Sequence, residues 1–366
     1  MRNVVILGST GSIGRQALEV IEANPGRFRV VGLAAGGSHP ELLADQVRRF
    51  KPDAVATGTE SSTELASLVQ ADVVLNAITG AAGLYATLAA LKAGKTLALA
   101  NKESLVIGGQ LVTQAAAPGQ LVAVDSEHSA IAQALRSGRA EEVRKVILTA
   151  SGGPFRGMTR KQLAKVTPEQ AMHHPTWNMG RVITINSATL VNKGLELLEA
   201  SLLYDVALDD IEVVVHPQSV VHSGVEFNDG ATILQASPPD MKLPIGLALA
   251  WPERLADVAK PCDWRAATQW TFEPLDDVAF PAVNLARRAG KSGGTAPAVF
   301  NAANEVAVDA FCVGQIGFLA ITDIIASVLD EHLRSVKTAP TLTVESVMAA
   351  DDWARQSARR LIAGLQ

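Results

Sequence analysis

The N-terminal segment constrains the fold most, because it passes from a strand through a glycine-rich turn directly into a helix. Residues 3–7 (NVVIL) form a short apolar run, residues 8–14 read GSTGSIG, and a helical pattern follows through Ile21. Glycines let a backbone turn tightly and approach a pyrophosphate, whose charge is stabilised by free N–H groups at the helix N-terminus. The spacing is G-x-x-G-x-x-G instead of the common G-x-G-x-x-G, so the strand–turn–helix context carries the prediction. The alternative is a glycine turn that only joins a strand to a helix.

Five further apolar segments repeat this pattern. We predict strands at 29–34, 53–57, 72–77, 95–100 and 121–124, with helical stretches between most of them. Continuous apolar strands that alternate with helices indicate a parallel sheet covered on both faces. The predicted fold class is α/β, with an N-terminal doubly wound (Rossmann-like) parallel sheet over residues 1–125. Ligands of such a sheet bind at the carboxyl ends of its strands.

The pattern changes after residue 126, where longer loops separate the predicted strands. These strands lie at 143–149, 181–185, 211–215, 220–227 and 231–236, and one long helix is predicted over 188–203. The sequence Asn228-Asp229-Gly230 favours a hairpin between the last two strands. A central α+β domain is therefore predicted over residues 126–251.

The last third of the chain is predicted to be helical. Residues 252–279, with prolines at 252, 261 and 274, are predicted to form a linker. Helical patterns follow at 280–290, 296–312, 319–334 and 343–364. They predict a C-terminal helical bundle over residues 280–366.

Composition excludes several classes of function. The 366 residues carry a net charge of −5, so there is no basic footprint for nucleic acid. The two cysteines, Cys262 and Cys312, form no C-x-x-C pair, which fits a reducing compartment. Apolar stretches such as residues 243–251 are far shorter than the roughly 20 residues that span a bilayer, and no targeting segment is evident. We expect a soluble cytoplasmic protein without a membrane or nucleic-acid partner.

The end of the second predicted strand bears on the choice of nucleotide. An acid there normally binds the ribose 2′-hydroxyl of NAD, but the strand runs into Gly36, Gly37 and Ser38 without a carboxylate. An acid would repel a 2′-phosphate, so its absence favours NADP. Because no arginine or lysine stands there to hold that phosphate, the expected preference is modest.

Two acids follow the sixth predicted strand. Asp125 and Glu127 stand at positions i and i+2, and in an extended chain they face the same way. Two carboxylates repel each other unless a cation such as Mg²⁺ or Mn²⁺ neutralises them. Glu196, in the predicted helix 188–203, would complete an all-oxygen metal site. The alternatives are an N-capping acid pair and a helix face exposed to water.

Several polar residues are candidates for binding a phosphate. Ser151 and the two glycines after it can present successive N–H groups as an anion-binding nest. Ser187, the predicted N-cap of helix 188–203, can add a hydroxyl. Asn192 and Lys193 can add donors from within that helix.

Two further features lie near predicted strand ends or between regular elements. Lys102, in Asn-Lys-Glu at 101–103, can contact a substrate oxygen or a developing negative charge, although exposed lysines are common. Residues 173–181 (HHPTWNMGR) have the Gly, Pro and bulky Trp177 of a lid. The alternative is a tryptophan that packs the loop onto the core. His174 can donate to a phosphate, whereas His216 and His222 are expected to be structural.

Eight segments, in this order, resemble one known family. They are GSTGSIG (8–14), ANKESLV (100–106), VDSEHSA (124–130), SGGPF (151–155), HPTWNMG (174–180), NSATLVNKGLELLEA (186–200), HPQSVVHS (216–223) and APAVFNAANEVAV (296–308). Over essentially its whole length the chain resembles 1-deoxy-D-xylulose 5-phosphate reductoisomerases. The resemblance implies a homodimer with NADPH-binding, catalytic and C-terminal helical domains. It also implies an NADPH- and divalent-metal-dependent enzyme of the non-mevalonate isoprenoid pathway. Such an enzyme rearranges 1-deoxy-D-xylulose 5-phosphate and reduces the product to 2-C-methyl-D-erythritol 4-phosphate.

The resemblance also implies roles for individual residues. The metal ligands would be Asp125, Glu127 and Glu196, and the catalytic residues Lys102 and Glu127. Substrate contacts would come from Lys102, Ser126, Glu127, Ser151, His174, Trp177, Met179, Ser187, Asn192, Lys193 and Glu196. Cofactor contacts would come from Gly8, Thr10, Gly11, Ser12, Ile13, Gly36, Gly37, Ser38, Asn101, Glu103 and Gly180. Many members carry Lys-Asn or a similar pair where this chain has Gly37-Ser38.

Two other functions remain open. One is a different NADP-linked dehydrogenase of a phosphorylated sugar, which would transfer hydride without carbon migration. The other is a non-catalytic nucleotide-sensing protein, which needs neither the three acids nor Lys102.

Overall fold

A computed structural model describes residues 1–68, 70–177, 179–335 and 342–365. Its first sheet has six parallel strands in the order β3-β2-β1-β4-β5-β6. The strands are β1 (Arg2–Leu7), β2 (Phe28–Ala35), β3 (Ala54–Thr57), β4 (Val73–Asn76), β5 (Thr96–Leu99) and β6 (Leu121–Ala123). The strand order reverses between β1 and β4, which is where a doubly wound sheet opens a ligand crevice. The predicted α/β fold class is confirmed.

Helices cover both faces of this sheet. They are α1 (Ser12–Ala23), α2 (Pro40–Phe50), α3 (Thr59–Leu65), α4 (Gly83–Lys92), α5 (Lys102–Gly108) and α6 (Gln110–Ala115). Successive strand residues point to opposite faces, and along β1 Val4 and Ile6 join one apolar cluster while Val5 and Leu7 join another. Both clusters are buried and apolar, which explains why the strands are continuous apolar runs.

The second sheet is mixed, with the order β10-β9-β7-β8-β11. Its strands are β7 (Val143–Ala150), β8 (Ile211–Val215), β9 (Val221–Phe227), β10 (Thr232–Ala236) and β11 (Glu273–Pro274). β7 and β8 are parallel, and β9 and β10 form the predicted antiparallel hairpin. Gly230 has a φ of 90° in the connecting turn, a backbone conformation that glycine adopts without strain. Residues 252–272, most of the predicted linker, contain no helix or strand.

The helices of this region are α7 (Ser126–Ala134), α8 (Arg160–Leu163), α9 (Pro168–Ala171), α10 (Arg181–Ala188), α11 (Val191–Tyr204) and α12 (Lys242–Ala250). Short 3₁₀ helices span Leu135–Ser137, Ala140–Glu142 and Leu208–Asp210. The prediction of a strand at 181–185 is wrong, because this segment is the start of α10. The β-branched run RVITI favours a strand locally. Tertiary packing overrides that preference and buries Thr184, Ile185 and Ala188 on one helical face.

The predicted helix 188–203 is also displaced at its start. The helical run is interrupted between α10 and α11, because Leu190 adopts a left-handed φ of 60°. Ser187 therefore lies in the last turn of α10 and is not the N-cap of α11. This break separates two short helices that a propensity argument joins into one.

The C-terminal helices are α13 (Ala282–Ser292), α14 (Ala296–Cys312), α15 (Phe318–Ser335) and α16 (Val344–Ala363). They pack against each other and against α11 around a core that includes Phe300 and Phe311, as the predicted bundle requires. α12 lies apart from them and packs with α1 on the first sheet. Among the helices of the described residues, none combines the length and apolar character that crossing a membrane requires.

Candidate active site

A cavity of about 380 Å³ lies where the two sheets and helices α10 and α11 meet. It is bordered by residues after β5 and β6 of the first sheet and by the end of β7 in the second. The carboxyl end of a parallel sheet is the expected ligand site of this fold. All the predicted substrate and metal residues line this cavity: Lys102, Asp125, Ser126, Glu127, Ser151, His174, Trp177, Met179, Ser187, Asn192, Lys193 and Glu196.

Asp125, Glu127 and Glu196 come together in this cavity. One carboxylate oxygen of each lies within 4.8 Å of the others. Asp125 is the N-cap of α7, and its Oδ1 accepts the N–H of Glu127 at 3.2 Å. Asp125 alone therefore caps the helix. The expected extended backbone is wrong, since Glu127 sits in the first helical turn. The cap uses only Oδ1 of Asp125, so this carboxylate caps the helix and still lies beside Glu127 and Glu196.

Two buried lysines offset most of the charge of this trio. Lys102 Nζ donates to Asp125 Oδ2 at 2.8 Å and to Glu196 Oε1 at 3.0 Å. Lys193 Nζ donates to Glu127 Oε1 at 2.8 Å and to the other oxygen of Glu196. Both lysines and Glu196 are less than a tenth exposed. Lys193 was predicted only to bind a phosphate, and in the structure it pairs with two of the three acids.

Asn192 links the two sides of the cluster. Its Oδ1 accepts Lys102 Nζ at 3.0 Å, and its Nδ2 donates to Glu196 Oε1. Ser126 donates its hydroxyl to Glu127. Each acid in the cluster therefore has a charged or polar partner, as buried carboxylates require.

These contacts shift the pKa of each group in a definite direction. Burial raises the pKa of Glu127, and the nearby charge of Glu196 raises it further, so that it reaches about 7 despite Lys193. Burial acts in the same direction on Asp125, but Lys102 outweighs it and holds the pKa of Asp125 well below its usual range. Burial lowers the pKa of Lys102, yet Asp125 and Glu196 overcome this and raise it. Two acids of opposite pKa shift are thus held side by side, an arrangement typical of functional sites.

A second polar group lies at the end of β7. His174 Nδ1 accepts the backbone N–H groups of Thr176 at 3.1 Å and Trp177 at 2.9 Å. The proton of a neutral imidazole must then be on Nε2, which lies 3.1 Å from Ser151 Oγ and donates to it. Burial lowers the pKa of His174 and favours this neutral form. The N–H of Gly153 donates to the same hydroxyl at 3.2 Å. One N–H group of the predicted anion-binding nest is therefore already hydrogen-bonded to Ser151.

The predicted lid lies beside the cavity. Trp177 and Met179 are both half-buried and line it, and the indole of Trp177 is tilted against His222 at 6.4 Å between ring centroids. Asn178 between them lies outside the described residues. Gly180, at the end of the segment, also lines the cavity and is the N-cap of α10.

The glycine turn after β1 is tightly packed. Gly8 has a φ of 84°, and a Cβ added at Gly14 would lie 2.3 Å from the carbonyl oxygen of Gly8. Only glycine permits this approach of α1 to the turn. The N-cap of α1, Gly11, offers no side-chain acceptor, and Ser12 and Ile13 face the cavity. The turn therefore has the form that accepts an anionic group at a helix N-terminus.

The other predicted cofactor residues do not line this cavity. Thr10 lies in the turn itself, and Gly36, Gly37 and Ser38 are exposed after β2. Asn101 is the N-cap of α5, and its side chain accepts the N–H of Ser104. Its Nδ2 donates to the carbonyl of Gly80 and to Glu103. Burial raises the pKa of Glu103. These positions follow the carboxyl ends of β1, β2 and β5, along the crevice of the first sheet.

Several residues that line the cavity were not predicted: Gln16, Thr149, Ile183, Leu190, Ser219, His222, Asp240 and Met241. His222 was expected to be structural. Its Nε2 lies 3.1 Å from the carbonyl oxygen of Ser237, and the residue also lines the cavity. His216 is structural as expected, since its Nε2 accepts the N–H groups of Val220 and Val221. The serine between them, Ser219, has a left-handed φ of 51°, a strain that no sequence pattern revealed.

Comparisons with known proteins match one family along the chain. Family profiles described as 1-deoxy-D-xylulose 5-phosphate reductoisomerase match residues 4–63 and 54–109. The profile of the C-terminal domain of that enzyme matches residues 121–204, and one described as DXP reductoisomerase C-terminal domain matches 236–357. The reductoisomerase of Cutibacterium acnes is 61% identical over 403 residues, and that of Leifsonia xyli subsp. xyli is 61% identical over 362. Each alignment covers 99% of both chains.

Solved structures agree in fold over the same length. The Zymomonas mobilis reductoisomerase in complex with NADPH is 43% identical, with a TM-score of 0.90 over 99% of both chains. A DOX-P reductoisomerase in complex with NADPH, fosmidomycin and magnesium is 36% identical. Its TM-score is also 0.90, and the alignment covers 100% of this chain and 99% of that one.

Proposed function

The chain belongs to the 1-deoxy-D-xylulose 5-phosphate reductoisomerase family, and from this premise we propose how it acts. It converts 1-deoxy-D-xylulose 5-phosphate to 2-C-methyl-D-erythritol 4-phosphate with NADPH and a divalent metal. One observation carries this function. Three acids and two lysines converge in one cavity that also borders the Ser151–His174 pair and the first turn of α1.

The trio of Asp125, Glu127 and Glu196 fits a hard divalent cation. Its ligand atoms are all carboxylate oxygens within 4.8 Å of one another, a donor set that suits Mg²⁺ or Mn²⁺ and not a softer metal. A bound cation supplies Lewis-acid polarisation of adjacent substrate oxygens. The buried lysines keep the three like charges together, so the site is preorganised and its reorganisation cost is small.

Lys102 and Glu127 are the proposed catalytic residues. Lys102 is held by Asp125 and Glu196 in its charged form, which stabilises negative charge on a substrate oxygen during the rearrangement. Glu127, with a pKa near 7, exchanges a proton at little cost near neutral pH. Ser126 donates to Glu127 and contacts the same end of the substrate.

The phosphate of the substrate binds at the other end of the cavity. Ser151, His174 and Ser187 supply neutral donors there, while Asn192 and Lys193 reach it from α11. By holding the phosphate, these donors keep the substrate in place and supply binding energy for orientation. Asn192 and Lys193 also contact the acids of the metal site. Trp177 and Met179 cover the bound substrate and exclude water, which strengthens the charge interactions beneath them.

NADPH binds along the crevice of the first sheet and supplies the hydride. Its pyrophosphate lies on the turn from Gly8 to Ile13, and Asn101, Glu103 and Gly180 contact the nicotinamide half. Gly36, Gly37 and Ser38 lie near the 2′-phosphate. The absence of an acid at that position supports NADPH over NADH.

The protein acts as a cytoplasmic homodimer. The edge strand β10 supports association, because Ile233 and Leu234 on it are 39% and 40% exposed, and an uncovered apolar edge favours pairing with another chain. Residues 1–125 form the NADPH-binding domain, 126–251 the catalytic domain, 252–279 the linker and 280–366 the helical domain. The net charge of −5 disfavours nucleic acid as a partner.

The decisive assay is NADPH oxidation with purified 1-deoxy-D-xylulose 5-phosphate. We expect turnover that chelation abolishes and that Mg²⁺ or Mn²⁺ restores. NADPH binding without any turnover of this substrate would indicate a nucleotide-sensing protein instead.

A further inference from the structure

Helix α14 carries the segment 296–308, which has no part in the proposed reaction. Asn304 on this helix is fully buried, and its Nδ2 donates to Asn186 Oδ1 on α10 at 3.0 Å. Asn186 itself is 4% exposed. Burying a side-chain amide is costly unless it is hydrogen-bonded. Among the described residues Asn304 Oδ1 has no partner, so the Nδ2 bond to Asn186 is what offsets this cost. This pair is therefore a specific link between the C-terminal helices and α10.

The link fixes which way α10 faces. Adjacent residues of an α-helix point about 100° apart, so with Asn186 turned toward α14, its neighbour Ser187 faces the cavity. On the far side the helix backbone is confined too. A Cβ added at Gly153 would lie 2.8 Å from the carbonyl oxygen of Ser187, so the turn after β7 touches α10 directly.

A second contact between the helices is weaker. Arg181 at the start of α10 pairs with Asp309 on α14 at 2.8 Å, but both side chains are more than half exposed. Exposed pairs contribute little. Of these two polar links, the buried amide pair is the one that resists a small rotation of α10.

We propose that Asn304 is a positioning residue: its hydrogen bond to Asn186 holds α10 at the rotation that presents Ser187 to the phosphate of the substrate. This inference rests on the proposed function, because the phosphate site does. Asn304 touches neither substrate nor cofactor, and it acts only through α10.

Asn301 provides a matched control one turn earlier on the same helix. It is 1% exposed, and its Nδ2 also makes one 3.0 Å bond, but to Glu305 on α14 itself. Asn304→Ala and Asn301→Ala thus remove the same group from similar burial. Both should lower Tm, but only Asn304→Ala should raise KM for the substrate, by about tenfold, as expected when a donor to phosphate is misplaced. Its kcat should fall less than its KM rises, and its Kd for NADPH should match that of the wild type.

A double variant guards against loss of folding. Asn186→Leu with Asn304→Leu replaces both partners by apolar groups of similar size, which costs little stability because no polar atom is left unpaired. It should still show the raised KM. An unchanged KM in this folded variant would overturn the positioning role, and so would equal KM shifts in Asn304→Ala and Asn301→Ala. In either case the proposed function would still stand if the wild-type protein turned the substrate over. A wild-type protein that does not turn over the substrate would overturn both.

Discussion

Replacing Glu196 by glutamine tests the metal trio at its most buried member. Glu196 is 1% exposed and accepts hydrogen bonds from Lys102, Lys193 and Asn192. Glutamine keeps the shape but turns one acceptor into a donor that faces an ammonium group. With all three acids ionised, three negative and two positive charges leave the cluster at −1, and the substitution brings it to 0.

The structure sets the size of the effect. Two unit charges 4.8 Å apart, the upper limit between the ligand oxygens, interact by about 3.5 kcal/mol at an effective dielectric constant of about 20. That energy corresponds to roughly 2.5 decades in an equilibrium constant. Since a divalent cation loses at least this much attraction, its affinity should fall by roughly two orders of magnitude or more. NADPH affinity should not change, because the glycine turn follows a different strand.

The pH dependence of metal binding should change as well. A cation requires ionised Glu127, whose pKa is raised to about 7 by burial and by Glu196. In the wild type, metal affinity should rise with pH, up to about tenfold per unit, and become level above pH 7. Without the charge of Glu196 the pKa of Glu127 is lower, so the levelling should move to lower pH.

Calorimetric titration of Mg²⁺ into the protein, from pH 5 to pH 8.5, measures both effects. Glu199→Gln is the matched control, because Glu199 lies one turn later on α11, is also 1% exposed and is outside the trio. It should lose far less metal affinity than Glu196→Gln. The metal assignment is refuted if Glu196→Gln binds Mg²⁺ within threefold of the wild type, or if both variants weaken binding equally.

Three further predictions concern the cofactor, the phosphate and the lid. NADPH should be preferred modestly over NADH, and Gly37→Asp should shift kcat/KM toward NADH, since an acid repels the 2′-phosphate; equal kcat/KM for both cofactors in the wild type would contradict this. Lys193→Ala should lower kcat/KM by about one to two decades, the worth of a charge-assisted contact, and the loss should shrink for a substrate without phosphate. An equal loss on both substrates would place Lys193 with the acids alone. Trp177→Ala should impair catalysis far more than it lowers Tm, whereas a large Tm loss with normal kinetics would make Trp177 a core residue.

Local sequence patterns predicted the sheet and most of the candidate site residues, whereas Ser126 and Met179 came only from the family resemblance. The six apolar runs define β1 to β6. Of these, β1, β2, β4 and β5 are largely buried on both faces, a requirement that is visible in sequence, whereas Val55 of the edge strand β3 is 47% exposed. Asp125 and Glu127 were recognised from their place after β6, although they meet through a helix N-terminus and not an extended chain.

Long-range packing determined what the patterns could not. RVITI at 181–185 is helical because α10 buries one face against its neighbours, an influence outside any local window. The pairing of Lys193 with Glu127 joins residues 66 apart and depends on how α11 docks beside α7. His222 lines the cavity from β9, an interior strand that is buried on both faces, so the two faces of this strand look alike in sequence.

The central claim is that this cavity rearranges a carbon skeleton as well as reducing it. The most direct measurement is ¹³C NMR of the product formed from labelled 1-deoxy-D-xylulose 5-phosphate, NADPH and Mg²⁺. We predict a branched product, 2-C-methyl-D-erythritol 4-phosphate, formed in step with NADPH oxidation and absent when the metal is chelated. A reduced product with its original unbranched carbon chain would contradict the account, because it would show hydride transfer without migration.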